Sequence, residues 1–318
     1  MAEIASPIPP TDFLAALKAA GEETRLRILA LLHRGDMTVS DLQAVLEQSQ
    51  PRISRHLRLL AEAGLIARSR EGAWSYYRLT RRARAWLPTI ASVDASDPAL
   101  AEDVSRLAAL REVHAREAAA FFARNATDWD RIRALHAPDE TVERAMLDMA
   151  GPDRVGRLLD VGTGTGRMLE VFAPLYREGV GIDASSEMLA IARAKVNEGT
   201  IPGAQVMRGD LFDPHDAPGP FDLVVVHQVL HFLDRPGDAV REAVRRLGMR
   251  GRILIADFAP HDHEFLAREQ AHRRLGFETD AVERWLEAAG ATPLATRRIH
   301  PEREGGLTVL LWLARREA

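Results

Sequence analysis

The chain has 318 residues, of which 46% are hydrophobic and 28% charged, as in ordinary folded proteins. This is about twice the ~150 residues of a common domain, so we expect two domains. The absence of cysteine excludes disulfides, thiolate nucleophiles and metal sites built on sulfur. No apolar run approaches the ~20 residues of a membrane span, and the N-terminus lacks a signal pattern. We therefore expect a soluble, cytoplasmic protein with no membrane partner.

Charge is unevenly distributed. The net charge is −4, yet residues 52–84 contain nine basic and only two acidic side chains. Such a block favours a polyanion as partner for this segment, although a solvated surface would also account for it.

The N-terminal residues show helical periodicity. A first helix has an apolar face formed by Phe13, Leu14, Leu17 and Ala20. A second helix, which Gly35 ends, has an apolar face formed by Leu26, Ile28, Leu29 and Leu32. Either Thr38 or Ser40 caps a short third helix. The apolar positions of that third helix are Val39, Leu42, Val45 and Leu46.

A fourth helix and a hairpin follow. The helix begins at Ser49-Gln50-Pro51 and Gly64 ends it. Its inward face is expected to consist of Ile53, Leu57, Leu60 and Ala61. Strands at Ile66–Arg70 and Trp74–Leu79, joined at Glu71-Gly72, predict a β-hairpin. A helix-turn-helix with such a hairpin is a winged helix, a mostly helical domain with a β wing.

The chemistry of this domain fits double-stranded DNA. A helix fits the major groove, and Arg, Gln and Ser side chains can contact base edges. The outward face of the fourth helix offers Ser49, Gln50, Arg52, Ser54, Arg55, His56 and Arg58. Arginines that could neutralise phosphates are Arg68, Arg70, Arg78, Arg81 and Arg82. A winged helix used for protein docking is the alternative.

The run Ser49-Gln-Pro-Arg-Ile-Ser-Arg-His-Leu-Arg-Leu-Leu-Ala-Glu-Ala-Gly-Leu-Ile66, followed by residues 70–79, resembles ArsR-type repressors. The resemblance covers about residues 12–88. It implies a homodimer whose terminal helices pair, here near residues 10–20 and 81–90. Many members of that family sense metals through cysteines in the helix before the recognition helix. Because Asp41–Leu46 has none, metal sensing of the usual kind is not supported.

The second half of the chain follows a linker. Residues 91–98 are small, polar and end in proline, as a linker would, and Leu100–Arg124 predicts a long amphipathic helix. Apolar runs then alternate with helical stretches, which predicts an α/β Rossmann-like fold with a mostly parallel sheet. The runs are 157–161, 179–182, 205–208, 221–227, 251–256 and 306–313. The expected domains are 1–90 (winged helix), 91–125 (linker and connecting helix) and 126–318.

A glycine loop follows the first of these strands. Arg157-Leu-Leu-Asp-Val-Gly-Thr-Gly-Thr-Gly166 runs from a strand into a loop and then a helix. A dinucleotide fingerprint would need its third glycine at position 167, which is arginine. The loop still lets a nucleotide approach the backbone closely.

Two carboxylates end the next two strands. Asp183 lies 21 residues after Gly162, where a carboxylate can accept both ribose hydroxyls. Asp210 could accept from an adenine amino group. Each aspartate could instead cap a helix, but three such features in order on successive strands favour a nucleoside site.

Leu159–Gly166, Gly181–Asp183, Gly209-Asp210 and Phe221–His231 together resemble class I S-adenosylmethionine (SAM)-dependent methyltransferases of the small-molecule type, over about residues 120–318. The resemblance implies that SAM or its product S-adenosylhomocysteine (SAH) binds without a metal. It places the methionine moiety at Asp160, Gly162 and Gly164, the ribose at Asp183, the adenine at Asp210 and Leu211, and a cover at Phe122 and Trp129. The full implied contact set is Phe122, Trp129, Asp160, Gly162, Thr163, Gly164, Gly166, Asp183, Ala184, Met188, Asp210, Leu211 and His227.

Histidines are the candidate bases. His227 ends the fourth strand, where it could act as base or as ligand discriminator, with packing as an equal alternative. For His231 we favour packing or capping. For His261-Asp-His263 we favour a polar loop over a metal site. Arsenite methylation is disfavoured because that chemistry characteristically uses cysteines.

The whole chain resembles proteobacterial regulators of the methionine/SAM cycle that respond to SAH. This resemblance implies a DNA-binding repressor, active as a homodimer, with a small nucleoside as effector. The alternative is a working small-molecule methyltransferase whose attached DNA-binding domain regulates or localises it.

Overall fold

The computed structural model describes residues 9–71, 74–80, 83, 97–128, 139–213, 215–301 and 306–317. Arg81, Arg82 and Trp129, most of the expected linker and the side chain of Arg70 lie outside the described residues. The chain divides into two compact units, Met1–Arg116 and Glu117–Ala318, and the division falls within one long helix.

The first unit is a winged helix. Its helices are α1 (Pro10–Ala20), α2 (Glu23–His33), α3 (Val39–Leu46) and α4 (Gln50–Glu62). Its strands are β1 (Met37–Thr38), β2 (Ile66–Glu71) and β3 (Trp74–Leu79). They form an antiparallel sheet in the order β1-β3-β2. The fold expected for this part of the chain is confirmed.

Helix α3 begins with a capping box. The hydroxyl of Thr38 accepts a hydrogen bond from the Asp41 backbone N–H at 3.1 Å, and the Asp41 carboxylate accepts from the Thr38 N–H at 2.9 Å. Thr38 is therefore the cap, and Ser40 is exposed within the first turn.

Replacing Thr38 by alanine is expected to lower the free energy of unfolding by about 1 kcal/mol, because the Asp41 N–H loses the hydroxyl that accepts its hydrogen bond. Ser40→Ala, a change of similar size on the exposed surface, should leave stability nearly unchanged. Urea unfolding of the two variants measures the difference, and equal losses would contradict the capping role of Thr38.

The core of this unit is formed by residues of all four helices and of the β-sheet. Ile53, Leu57 and Leu60 of α4 are fully buried, as expected. Ala61 is exposed, so its predicted inward position is wrong, because the buried stripe of α4 ends at Leu60.

Helix α1 carries an apolar face that is largely open to solvent. Its side chains Phe13, Leu14 and Leu17 are 44%, 55% and 46% exposed, whereas Ala16 on the other side of the helix is fully buried. The apolar face expected for this helix is thus present, but it points outward from the unit.

Helix α5 (Pro98–Asn125) is the long helix predicted after the linker. Its first part belongs to the winged-helix unit. There the Arg27 guanidinium donates to both carboxylate oxygens of the buried Asp103, at 2.7 and 2.6 Å. Leu107 is buried in the same core.

The second unit is built on a seven-stranded sheet in the order β6-β5-β4-β7-β8-β10-β9. The strands are β4 (Val155–Val161), β5 (Tyr176–Asp183), β6 (Ala204–Arg208), β7 (Phe221–His227), β8 (Leu247–Phe258), β9 (Ala291–Ile299) and β10 (Val309–Arg316). The first five are mutually parallel, and β10 runs antiparallel between β8 and β9. The helices are α6 (Asp139–Ala150), α7 (Arg167–Val171), α8 (Ser186–Asn197), α9 (Pro236–Arg245), α10 (Glu264–Glu269) and α11 (Thr279–Ala288).

This arrangement confirms the Rossmann-like α/β prediction. One strand, β9, is not predicted by the sequence pattern, because it lies at the sheet edge, most of its residues are exposed, and apolar and polar residues are mixed without an apolar run. No helix among the described residues is long and apolar enough to cross a bilayer.

Candidate functional site

Helix α4 presents a polar face, which is the predicted DNA-binding surface. Ser49 is its N-cap, and the predicted DNA-contacting side chains that are exposed are Ser49, Gln50, Arg52, Ser54, Arg55 and Arg58. His56 differs, because its side chain is only 12% exposed and its Nδ1 lies 3.5 Å from a carboxylate oxygen of Glu22. Burial lowers the pKa of His56. Its predicted outward position is therefore wrong: it lies three residues after the buried Ile53, beside the inward stripe.

The hairpin adds basic side chains on both strands. Arg68 is exposed, and its guanidinium donates to the hydroxyl of Ser75 at 2.9 and 2.7 Å. Arg78 is half-buried on the neighbouring strand. In these positions the two arginines could contact DNA phosphates while α4 serves as the recognition helix.

The glycine loop joins β4 to α7. Gly162, Gly164 and Gly166 have φ values of 68°, 54° and 84°, a region that disfavours side chains with a Cβ. The Thr163 hydroxyl donates to the carboxylate of the buried Asp160 at 2.6 Å. This hydrogen bond joins the glycine loop to the end of β4.

At Gly162, neighbouring atoms exclude a side chain as strongly as the backbone conformation does. A Cβ at Gly162 would lie 2.5 Å from Cγ2 of Val229, in the loop after β7. The glycine loop and the β7 loop therefore touch.

Gly162→Ala is expected to displace the glycine loop and weaken SAH binding at least tenfold. Gly199→Ala is the matched control, because Gly199 also has a positive φ, of 77°, but no atom lies within 4 Å of the position that its Cβ would take. Both variants bear the backbone cost of about 1 kcal/mol for a positive φ. Calorimetric titration with SAH separates that shared cost from the clash, and equal affinity of both variants would contradict this account.

Asp183 holds the glycine loop to the end of β5. Its carboxylate accepts from the Gly164 N–H at 2.8 Å and from the Ser185 N–H at 2.8 Å. Burial raises the pKa of Asp183, while these backbone hydrogen bonds oppose the increase. The N-cap of α8 is Ser185, whose hydroxyl accepts from the Met188 N–H at 3.2 Å. Asp183 is therefore not the cap of that helix.

The loop after β6 carries the expected adenine contacts. Asp210 is exposed and its carboxylate accepts from the Phe212 N–H at 2.9 Å, whereas Leu211 is buried. Arg246, which the sequence pattern does not mark, supports this loop. Its buried guanidinium donates to the carbonyl oxygens of Leu211 at 3.1 Å and Asp213 at 2.5 Å. Of the remaining contact candidates, Ala184 is exposed and Met188 is buried.

The end of helix α5 contacts the loop after β7. The Phe122 ring meets the Phe232 ring edge-on, with centroids 4.8 Å apart. The 3-10 turn Ala126–Asp128 that follows lies beside α8. Phe122 is thus close to the loop after β7, where His227 is buried at the strand end.

His231 is packed, as predicted, but it also has a charged partner. It lies in the 3-10 turn Leu230–Phe232, and its Nδ1 is 2.7 Å from a carboxylate oxygen of the buried Asp257 at the end of β8.

His261 has a lowered pKa of about 4, because it is buried and because His263 and His231 lie near it. Among the described residues no three His or carboxylate side chains are placed to hold one metal ion.

These features define a class: a winged-helix DNA-binding unit followed by a unit with the class I methyltransferase fold. Residues 22–68 match the family model described as "Bacterial regulatory protein, arsR family", and residues 159–255 match the model "Methyltransferase domain". The chain belongs to the ArsR family, and it carries a class I methyltransferase domain after its ArsR domain.

Similar proteins exist for each half. The chain is 40% identical over 107 residues to the arsenic resistance transcriptional regulator ArsR1 of Pseudomonas putida, covering 33% of this chain and 80% of that protein. It is 35% identical over 178 residues to the phosphatidylethanolamine N-methyltransferase of Cereibacter sphaeroides, covering 51% of this chain and 82% of that protein. A methyltransferase solved with the Haloferax volcanii Trm112 activator aligns with a TM-score of 0.51 at 18% identity, covering 62% of this chain and 98% of that one, which shows the fold alone.

Proposed function

We propose that this chain is a transcriptional repressor whose methyltransferase domain binds SAM or SAH as an effector, and that it controls genes of the methionine/SAM cycle. One observation carries the proposal. The same chain has an exposed polar and basic face on α4 and a glycine loop that Asp183 ties to the end of β5 by a hydrogen bond from the Gly164 N–H. Because the chain has no cysteine, the signal does not enter through thiolate metal ligands.

The residues present fit a SAM-type ligand. The positive φ values of Gly162, Gly164 and Gly166 give the tight glycine loop on which such a ligand binds, and the Asp183 carboxylate retains acceptor capacity for ribose hydroxyls beyond its backbone hydrogen bonds. Asp160 and the glycine loop would face the methionine moiety, Asp210 and Leu211 the adenine, and Phe122 would cover the ligand. When bound, SAM supplies a methyl group already activated on a sulfonium.

Helix α5 is the proposed route of coupling. Its first part is fixed within the winged-helix unit by the Arg27–Asp103 pair, and Phe122 near its end contacts Phe232 in the second unit. A ligand that reorders Phe122 would act on a single continuous helix. A tenfold preference of the effector for one conformation requires about 1.4 kcal/mol, within the usual range of allosteric coupling.

A homodimer follows from the same proposal. The exposed apolar face of α1, formed by Phe13, Leu14 and Leu17, supports pairing with a second copy. Two copies would place two α4 helices on successive half-sites of one promoter, as paired reading helices do.

The test is fluorescence anisotropy of the full chain on its own promoter DNA, at fixed salt, titrated separately with SAM and SAH. We expect one ligand to change the DNA affinity several-fold and the other to change it less. If both ligands bind and neither alters DNA affinity, the sensor proposal is wrong.

A second candidate function is methyl transfer to a small molecule. The similarity to a phosphatidylethanolamine N-methyltransferase over 82% of that protein supports it. Release of SAH from SAM in the presence of an acceptor would distinguish this candidate from a pure sensor.

A further inference from the structure

Three histidines and one aspartate converge at the ends of β7 and β8. We call His231, Asp257, His261 and His272 the histidine cluster. His231 follows β7, Asp257 is the penultimate residue of β8, and His261 and His272 flank α10. The rings of His231 and His272 have centroids 4.2 Å apart. In open parallel sheets, ligands bind outside the carboxyl ends of the strands, which is where the cluster lies.

Asp257 orients the imidazole of His231. One carboxylate oxygen lies 2.7 Å from His231 Nδ1 and also accepts from the Phe258 N–H at 2.8 Å, while the other accepts from the His231 N–H at 3.3 Å. A carboxylate with this role places the proton on Nδ1 and leaves Nε2 to accept one. A histidine oriented by a buried aspartate is an arrangement that serves as a general base.

Aromatic rings pack against the histidine cluster. The centroid of the His231 ring lies 4.0 Å from that of Phe232 and 4.9 Å from that of Phe258, and Phe122 packs on Phe232. Nε2 of His261 is buried and has no hydrogen-bond partner among the described residues. His261 Nδ1 accepts from the His263 N–H at 3.3 Å, so the neutral ring carries its proton on Nε2. A buried donor without a partner costs about 1–3 kcal/mol, which a hydrogen bond to an acceptor, such as the lone pair of a neutral amine nitrogen, would offset.

The cluster also adjoins the proposed nucleoside site. Val229 lies between His227 and His231 in sequence, and its Cγ2 is the atom that a Cβ at Gly162 would strike. The loop after β7 therefore touches the glycine loop through Val229 and carries His231 of the histidine cluster. A molecule bound at the cluster would lie beside a ligand on the glycine loop.

We propose that the histidine cluster is an acceptor site for methyl transfer to a small amine attached to an apolar or aromatic group. Aromatic faces and the buried Asp257 carboxylate favour a cation over an anion, which selects an ammonium group. Asp257 is a positioning residue and His231 the catalytic base. The proposal rests on the proposed function in requiring that the domain binds SAM.

Methyl transfer at this site begins with removal of a proton. His231 Nε2 takes one proton from the ammonium group, and the freed nitrogen lone pair attacks the methyl carbon of SAM. The carbon–sulfur bond breaks, its electron pair stays on sulfur as SAH, and the product is an N-methylammonium. The proton on His231 then passes to water.

The experiment uses the full chain with SAM and benzylamine, quantifying N-methylbenzylamine and SAH by mass spectrometry. The comparison probes are p-cresol, a neutral hydroxyl compound, and benzoate, an anion. We expect N-methylbenzylamine and SAH in equal amounts, and less than about a tenth of that product from either comparison probe.

Three variants test whether His231 and Asp257 take part in methyl transfer. His231→Asn should lower kcat about 100-fold, the lower end of general-base contributions, while its Kd for SAH stays within about twofold of that of the wild type. Asp257→Asn should lower kcat with little change in the KM for benzylamine. His300→Asn, at an exposed histidine after β9, should leave both constants unchanged.

The outcomes separate the two proposals. If SAH binds and no probe is methylated, or p-cresol is methylated in preference to benzylamine, the amine acceptor site is wrong and the sensor proposal stands. If SAH does not bind, the proposed function itself fails. A folded His231→Asn variant with unchanged kcat would overturn the role of His231.

Discussion

Asp183→Ala is expected to weaken SAH binding about 100-fold and to abolish any effect of SAH on promoter affinity. The substitution removes the proposed acceptor for the ribose hydroxyls. It also leaves the Gly164 and Ser185 N–H groups without their carboxylate partner, so the glycine loop loses its tie to β5. A hydrogen bond to a charged group contributes about 1.5–3 kcal/mol. Loss of the hydrogen bonds to the two ribose hydroxyls therefore corresponds to an increase in Kd of at least about 100-fold.

Calorimetry with SAH measures the affinity, and anisotropy without ligand measures promoter binding. Asp183→Asn keeps one carbonyl oxygen and is expected to be intermediate. Asp153→Ala, which removes an exposed carboxylate in the same unit, serves as the matched control. Ligand-free promoter affinity should be the same in all three variants. If Asp183→Ala bound SAH within about twofold of the wild type, the ligand would lie elsewhere.

Most of the fold is predictable from the sequence because its elements carry strong local patterns. Helix α4 has a buried residue at each turn, and β7 contains the apolar run 223–226, which the structure places at the centre of the sheet. Strand β9 escapes prediction because an edge strand needs no apolar run. Errors within α4 fall at the margins of the buried stripe, where Ala61 is exposed and His56 is not.

The site is predictable only where it is local in the chain. The glycine loop and Asp183 form a motif of fixed spacing, and the structure brings them into hydrogen-bond contact. Asp257 pairs with a histidine 26 residues away, and Arg246 supports a carbonyl 35 residues away. No spacing rule marks such pairs, because the order of the strands and the packing of their loops bring them together.

Arg55→Ala is expected to weaken promoter binding by about 10- to 100-fold and to leave the Kd for SAH unchanged. Arg55 is exposed on the polar face of α4, and a bidentate arginine contact with a base contributes about 1–3 kcal/mol of discrimination. Arg144→Ala, at an exposed arginine of α6, removes the same charge from the other unit and controls for the change in net charge.

The salt dependence of the loss identifies the kind of contact. If Arg55 reads a base, the loss is large on the promoter and small on scrambled DNA, and the slope of log Kd against log salt barely changes. If Arg55 binds a phosphate, both DNAs lose affinity alike and the slope falls by about 0.9. Normal promoter affinity at all salt concentrations would mean that α4 is not the reading helix. The first result would separate sequence recognition on α4 from the general attraction of the basic segment 52–84.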